Sequence, residues 1–100
     1  MASNVKESKF QKKLISKLQE EFPGSIILKN DANYIQGIPD LTIFYENHWA
    51  ALECKKSSEA NVQPNQEYYI SKMNEMSYAA FIYPENEETV INELRKALRA

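Results

Sequence analysis

The spacing of apolar residues along the chain predicts three helices. Phe10, Leu14, Leu18 and Phe22 recur every four residues, which is the helical period, and Pro23-Gly24 is expected to end this first helix. Ser3 or Asn4 is the candidate N-cap. Pro64 suits the first turn of a second helix, whose stripe consists of Gln66, Tyr69, Ile70, Met73 and Met76. Asn86 is the candidate cap of a third helix, whose expected buried face consists of Val90, Ile91, Leu94 and Leu98.

Four short apolar runs predict strands. "SIILKN" is typical of a short buried strand, and the polar segment "DANYIQGIP" after it is expected to be a loop. Leu41–Tyr45 and Trp49–Cys54 are joined by Glu46-Asn47-His48, a polar connection that suits a hairpin. The run Tyr78–Tyr83 should pair in parallel with Trp49–Cys54, because a helix connects them. The prediction is a single α/β domain over residues 1–100, with a four-stranded mixed sheet and helices on both faces.

Composition limits the kind of protein. The chain has 100 residues, 43% hydrophobic and 26% charged, as expected of one globular domain. No apolar run approaches membrane-spanning length and the N-terminal segment has no apolar core, so neither a membrane nor a secreted protein is expected. The only cysteine, Cys54, excludes an intrachain disulfide and fits a reducing compartment.

Charge is distributed unevenly despite a net charge of −2. Residues 1–18 contain one acid, Glu7, and five lysines: Lys6, Lys9, Lys12, Lys13 and Lys17. Residues 85–93 contain glutamates and no base. Such polarity can orient a polyanion, although for any one lysine a solvated helix face is the simpler interpretation.

The predicted hairpin carries the candidate chemistry. Asp40 opens its first strand and Glu53 closes its second, so both carboxylates should arrive at the same end of the sheet. Side chains alternate along a strand, so Lys55 shares a face with Glu53. Two close carboxylates need a cation or a proton between them, and Mg²⁺ (or Mn²⁺) suits such ligands, with the Cys54 carbonyl as a further one. A turn aspartate after Pro39 and a plain Glu53–Lys55 ion pair are the alternatives.

These residues resemble a known nuclease motif. Pro39-Asp40 and Glu53-Cys54-Lys55 match the pattern of the PD-(D/E)XK nuclease superfamily. The segments "ESKFQ", "GIPDL", "ALECKK" and "QPNQEYY" resemble the stand-alone VRR-NUC nucleases of phages and bacteria, over nearly the whole chain. The resemblance implies a restriction-endonuclease-like fold and a Mg²⁺-dependent deoxyribonuclease.

The resemblance also implies residue roles. Asp40 and Glu53 would be direct metal ligands, Lys55 the catalytic lysine, and Gln66 a glutamine that reaches back to the site. Glu7 would be the first-helix acid that helps hold the metal, with Glu20 and Glu21 as the alternatives. The residues expected to contact DNA are Lys6, Lys9, Gln11, Lys13, Tyr34, Lys56, Ser57 and Ser58.

The implied function is an endonuclease selective for branched DNA such as Holliday junctions. It would act as a homodimer in the cytoplasm of a bacterial or phage-infected cell. Phe44, Tyr45 and Trp49 crowd the hairpin and are the expected dimer surface. The alternative is a weak or inactive nuclease-fold module that binds DNA or a partner protein.

Overall fold

Three helices and four strands follow one another in the predicted order. A computed structural model describes residues 2–100, and side chains from residue 5 onward. The elements are α1 (Ala2–Glu21), β1 (Ile26–Lys29), β2 (Leu41–Tyr45), β3 (His48–Cys54), α2 (Pro64–Met76), β4 (Tyr78–Ile82) and α3 (Glu87–Leu98). The α/β class is therefore confirmed. None of the helices in this described part is both long and apolar enough to cross a membrane.

The strands form one mixed sheet in the order β1-β2-β3-β4. The β1–β2 and β2–β3 pairs are antiparallel, and β3–β4 is parallel, as the intervening helix predicted. The hairpin turn is shorter than expected. His48 pairs with Tyr45 inside the sheet, so only Glu46 and Asn47 form the turn, and Glu46 has a positive φ of 56°. A two-residue connection is common for antiparallel neighbours.

Helices pack on both faces of the sheet, and strand alternation decides which residues face which helix. One core lies between the sheet and helices α1 and α3; its members include Leu18, Ile43, Leu52, Cys54 and Leu94. A smaller cluster on the other face joins Ala51 of β3, Ala79 of β4 and Ile70 of α2. The residues that alternate with the first core along β3 therefore face α2, and Glu53 is one of them.

The prediction of a buried first strand was wrong. β1 is an edge strand whose residues Ile26 and Leu28 are 62% and 47% exposed. Helix α2 packs on β3 and β4, so the β1–β2 half of that face lacks a covering helix in the described chain. The apolar residues of "IILK" do not indicate whether a strand lies at the centre or at the edge of a sheet.

Details at the helix ends also differ from the predictions. Helix α1 begins at Ala2, so Ser3 and Asn4 lie within the helix and not before it. Asn86 holds the N-cap position of α3, but its side chain binds the incoming chain instead: Oδ1 accepts from the Tyr83 amide (2.8 Å) and Nδ2 donates to the Phe81 carbonyl (3.0 Å). Met76, placed on the apolar stripe of α2, is 64% exposed at the last turn.

Candidate active site

Asp40 is fixed where the loop enters β2. Its backbone carbonyl accepts a hydrogen bond from the Asn30 amide (2.8 Å), and the Asn30 side chain donates to the Pro39 carbonyl (2.9 Å) and to Thr42 Oγ1 (2.8 Å). The Asp40 carboxylate reaches across the hairpin, where Oδ2 accepts from the Cys54 amide (2.8 Å). These bonds hold the carboxylate at the end of β3, beside Glu53.

Glu53 and Lys55 are buried at this end of the sheet. Glu53 is 3% exposed and Lys55 is 8% exposed. Lys55 Nζ lies 3.8 Å from Glu53 Oε2, and the Lys55 amide donates to the Ile82 carbonyl (2.9 Å). Charged side chains are rarely so enclosed unless they are paired, because burial removes their hydration.

Gln66 connects the lysine to the glutamate. Its Oε1 accepts from Lys55 Nζ (2.8 Å) and from the Gln63 amide (3.0 Å), while Nε2 donates to Glu53 Oε2 (3.1 Å). The bond to Gln63, the N-cap residue, is the reach-back of a capping box, so the first turn of α2 and the site share one side chain. Gln66 thus contacts both Lys55 and Glu53 from the first turn of α2.

The cluster is crowded with negative charge. Burial and then the nearby Asp40 carboxylate raise the pKa of Glu53 to about 8, and burial raises the pKa of Asp40 as well. Burial and Asp40 also raise the pKa of Glu7, against the opposing ammonium groups of Lys55 and Lys56. A bound cation would relieve this repulsion and favour the ionised carboxylates.

The structure places the three first-helix acids differently. Glu7 is half-buried within electrostatic range of Asp40 and Lys55. Glu20 is exposed, and Glu21 is bound by both Arg95 Nε and Nη2 at 2.8 Å. The hydrogen bonds from Arg95 lower the pKa of Glu21 to about 2. Of the three acids, Glu7 is the one that the fold brings to the cluster.

Gln11 and Cys54 lie next to the cluster, where β3 packs against helix α1. Gln11 lies four residues after Glu7 on the same helix, close enough to the Cys54 thiol to lower its pKa slightly against the effect of burial. Burial raises the pKa of the Cys54 thiol well above its usual range, so Cys54 packs as a neutral side chain. A nucleophilic role for this cysteine is not supported by such surroundings.

The donor set fits a hard divalent cation in part. Asp40 and Glu53 supply carboxylate oxygens from adjacent strand ends, and Mg²⁺ is typically held by one or two carboxylates together with waters and substrate phosphate. Within residues 2–100, no group of three or more His, Cys, Asp or Glu residues lies close enough to hold a metal alone. The Cys54 carbonyl and Glu7 therefore stay predicted ligands.

Of the residues predicted to contact DNA, the lysines and Tyr34 are exposed, whereas the two serines are already hydrogen-bonded within the chain. Lys6, Lys9, Lys13 and Lys56 are exposed, and Tyr34 is 84% exposed on the loop before β2. Ser58 is already engaged, because its amide and Oγ donate to the Glu85 carboxylate at 3.2 and 3.3 Å. Ser57 Oγ accepts from the Glu59 amide (3.3 Å). A phosphate at Ser58 would have to displace Glu85.

Sequence reasoning missed the contact that joins the loop before Asp40 to helix α2. Gly37 has a φ of +90°, and a Cβ there would lie 2.6 Å from Asn65 Cγ and 2.7 Å from Asn65 Cβ. Only glycine allows both that backbone conformation and that approach. The glycine in "GIPD" could have indicated a backbone position with positive φ, but nothing in the sequence predicted that Asn65 would be its neighbour.

Comparisons of the chain with family models, with curated proteins and with solved structures found no match.

Proposed function

We propose that the protein is a metal-dependent endonuclease of the PD-(D/E)XK type, similar to the stand-alone VRR-NUC nucleases. The observation that carries the proposal is the assembly of Asp40, Glu53 and Lys55 with Gln66 in one cluster, in which Glu53 and Lys55 are buried. A structural ion pair would need only Glu53 and Lys55. The second carboxylate adds repulsion that a proton or a bound cation must relieve, and a divalent cation is the partner that a nuclease would use.

Asp40 and Glu53 would hold Mg²⁺ or Mn²⁺. When bound, such an ion polarises a phosphoryl oxygen and makes a nearby water a better nucleophile. The cluster then needs no serine, cysteine or histidine nucleophile. This fits the chain, since His48 opens β3 while Glu53 lies near its end, and the Cys54 thiol is neutral.

Lys55 is the group that would meet the scissile phosphate. Its ammonium can orient the attacking water and neutralise charge that develops on the phosphoryl oxygens. Gln66 would act as a positioning residue, since its carbonyl oxygen holds the ammonium and its amide nitrogen holds Glu53. A fixed lysine loses little orientational freedom when the substrate arrives.

DNA is the proposed substrate, recognised through its backbone and shape. Lys56 supplies positive charge near Glu7 and the cluster, and Lys6 is an exposed lysine next to Glu7 on α1. Branched DNA such as a Holliday junction is the proposed form, because resolving it requires two cuts and a homodimer supplies two sites. The branched substrate and the homodimer are proposed from the resemblance and from an exposed apolar surface of the sheet.

An exposed apolar surface supports the homodimer. Ile26, Leu28 and Phe44 are 62%, 47% and 41% exposed; Ile26 lies opposite Phe44, and Phe44 lies opposite half-buried Trp49. We call Ile26, Leu28, Phe44 and Trp49 the sheet patch. Tyr45, expected in the same surface, instead packs against Phe22 with ring centroids 5.3 Å apart, because alternate residues of β2 face opposite sides.

The direct test is DNA cleavage with Mg²⁺ or Mn²⁺ by the wild type and by Lys55→Ala. The variant should bind DNA and metal but cut about 10²–10³-fold more slowly in single turnover, the usual cost of losing one electrostatic contact to the transition state. Lys56→Ala is the matched control, because Lys56 is exposed and should affect DNA affinity alone. If Lys55→Ala lost only affinity and cut at the wild-type rate, the catalytic assignment would be wrong.

A second candidate function is a nuclease-fold module that binds DNA or a protein without cutting. It is favoured by the small number of candidate metal ligands. Within the described residues, no third acidic, histidine or cysteine side chain joins the two carboxylates to form a metal-binding group. Binding without cleavage of linear, flap and four-way DNA, in Mg²⁺ and in Mn²⁺ alike, would establish this alternative.

A further inference from the structure

A groove of about 520 Å³ lies beside the cluster, between the loop before β2 and the first turn of α2. The loop side is formed by Ala32, Gln36 and Gly37, and the helix side by Gln63, Asn65 and Gln66. Its volume is within the range of small-ligand sites, about 300–1,000 Å³. Because Gln66 also binds Lys55 and Glu53, the groove opens directly from the candidate active site.

The groove is lined by amide side chains and carries no charge. Its lining residues are all uncharged, and four of them carry side-chain amides: Gln36, Gln63, Asn65 and Gln66. A phosphate is normally bound by arginine, lysine or a row of backbone amides, so this lining is poorly suited to it. Amides present donors and acceptors in one plane, which is the pattern that pairs with the edge of a nucleobase.

The groove is held in shape from both sides. The Gly37 backbone packs against Asn65 so closely that a Cβ would overlap it, which fixes the loop to the helix. The Asp31 carbonyl accepts hydrogen bonds from the amides of Tyr34 (3.0 Å) and Ile35 (3.3 Å), so the loop has a turn of its own. Tyr34 lies two residues from both Ala32 and Gln36 and is 84% exposed, which leaves its ring available for stacking.

From this arrangement we propose that the groove receives an unpaired nucleobase next to the phosphate that is cut. The inference rests on the proposed nuclease function and deepens it, because it names what the site would recognise besides the phosphate. The amides of Gln36, Gln63 and Asn65 contact the base edge, and Tyr34 stacks on the same or the neighbouring base.

The proposal gives a physical reason for selecting branched DNA. A base inside a regular duplex must be unstacked and unpaired before it enters a groove, whereas a base at a branch or mismatch needs less energy to leave the stack. An enzyme that requires this step cuts branched or locally unpaired DNA faster than linear duplex, whatever preference among the bases the edge contacts add.

The test uses the full chain and one branched DNA whose cut position has first been mapped. Two further substrates carry a tetrahydrofuran abasic residue in place of the nucleotide immediately 5′ or immediately 3′ of the cut. The abasic residue on one of the two sides should lower kcat/KM of the wild type about tenfold, within the range for losing one stacked or hydrogen-bonded base. Gln36→Ala and Gln63→Ala should cut both kinds of substrate at similar rates.

Gln19→Ala is the control, because Gln19 is an exposed amide on α1 outside the groove and this variant should keep the full abasic effect. Melting temperatures of the variants are compared with that of the wild type to check that the fold is intact. If the wild type cuts well and neither abasic residue changes its rate, the groove proposal is overturned while the nuclease proposal stands. If the wild type cuts no substrate with Mg²⁺ or Mn²⁺, both fall.

Discussion

At the scale of single residues, the candidate site is costly to the folded state when no cation is bound. The Glu53 carboxylate and the Lys55 ammonium are enclosed at the end of β3 beside the partly buried Asp40, and the neighbouring amide of Gln66 can satisfy only part of their hydrogen-bonding capacity. Burial and mutual repulsion raise the pKa values of Asp40 and Glu53. A core would be more stable with neutral residues here, so a role beyond packing is the simplest reason for the arrangement.

The first prediction concerns metal binding at these carboxylates. Asp40→Asn and Glu53→Gln should abolish cleavage while keeping the fold, and without divalent ions each should be at least as stable as the wild type. Mg²⁺ at 100 times its Kd should stabilise the wild type by about 2.7 kcal/mol, and both variants by less. Glu75→Gln, on the exposed face of α2, is the control. An equal rise in melting temperature for all four proteins would rule out this metal site.

The second prediction concerns pH. Because burial and Asp40 raise the pKa of Glu53 from 4.5 to about 8, the folded chain keeps a proton that the unfolded chain releases. This stabilising contribution is fully present below about pH 4.5 and is lost as the pH rises through about 8. The raised pKa values of Asp40 and Glu7 act with the same sign.

Urea unfolding in a chelator, measured from about pH 5 to about pH 9, should give a free energy of unfolding that falls as the pH rises, with up to about 1.4 kcal/mol per pH unit contributed by Glu53. Glu53→Gln should flatten the profile, since it removes the titrating group and leaves a neutral amide of similar shape. A wild-type profile that is level over this range would contradict the raised pKa.

At the scale of elements, the site depends on two segments that meet at one point. The loop before β2 ends in Asp40, and helix α2 begins just before Gln66. Gly37 and Asn65 bring these two segments into contact. Any change that separates these two segments should displace the Asp40 carboxylate from the Gln66 amide.

A pair of glycine variants tests this contact. Gly24 and Gly37 have similar φ values of +87° and +90°, but a Cβ at Gly24 meets nothing within 4 Å, whereas one at Gly37 lies 2.6 Å from Asn65 Cγ. Gly24→Ala should therefore lose about 1–2 kcal/mol from the backbone conformation alone. Gly37→Ala should lose about 1–3 kcal/mol more from overpacking, and its cleavage rate should fall as well. Equal losses in denaturant unfolding would mean that the loop moves away from Asn65 at little cost.

The sequence predicted some of these features and not others, for physical reasons. The hairpin has a period of two and a short turn, so pairing Asp40 with the end of β3 followed from the pattern alone. The apolar run "SIILKN" wrongly predicted that Ile26 and Leu28 are buried, because burial of a strand depends on whether a helix covers it. The Gly37–Asn65 contact depends on the path of a loop through space, which local sequence does not specify.

At the scale of the whole molecule, the uncovered part of the sheet determines what the chain can associate with. Helix α2 packs on β3 and β4, and three members of the sheet patch, Ile26, Leu28 and Phe44, lie on the β1–β2 half of the same face. Its fourth member, Trp49, lies on β3 beside them and packs against the cluster under α2. β1 is also the edge of the sheet, so its backbone groups are available to pair with another strand. A surface of this kind on a small domain suits a two-fold contact between identical chains.

The last prediction joins assembly to substrate choice. Light scattering should show a homodimer, and Ile26→Lys or Leu28→Lys should convert it to a monomer, because a charge in the sheet patch would have to be buried without a partner. Tyr68→Lys is the control, since Tyr68 is 59% exposed, close to the 62% of Ile26, but lies near the start of α2, outside the patch. The dimer should cut four-way and flap DNA faster than linear duplex, and its DNA affinity should fall steeply as salt rises. The monomeric variants should keep nicking activity but lose paired cuts across a junction, because one chain carries one site. A wild-type monomer that cuts linear duplex as fast as junctions would leave a nuclease without the resolving function.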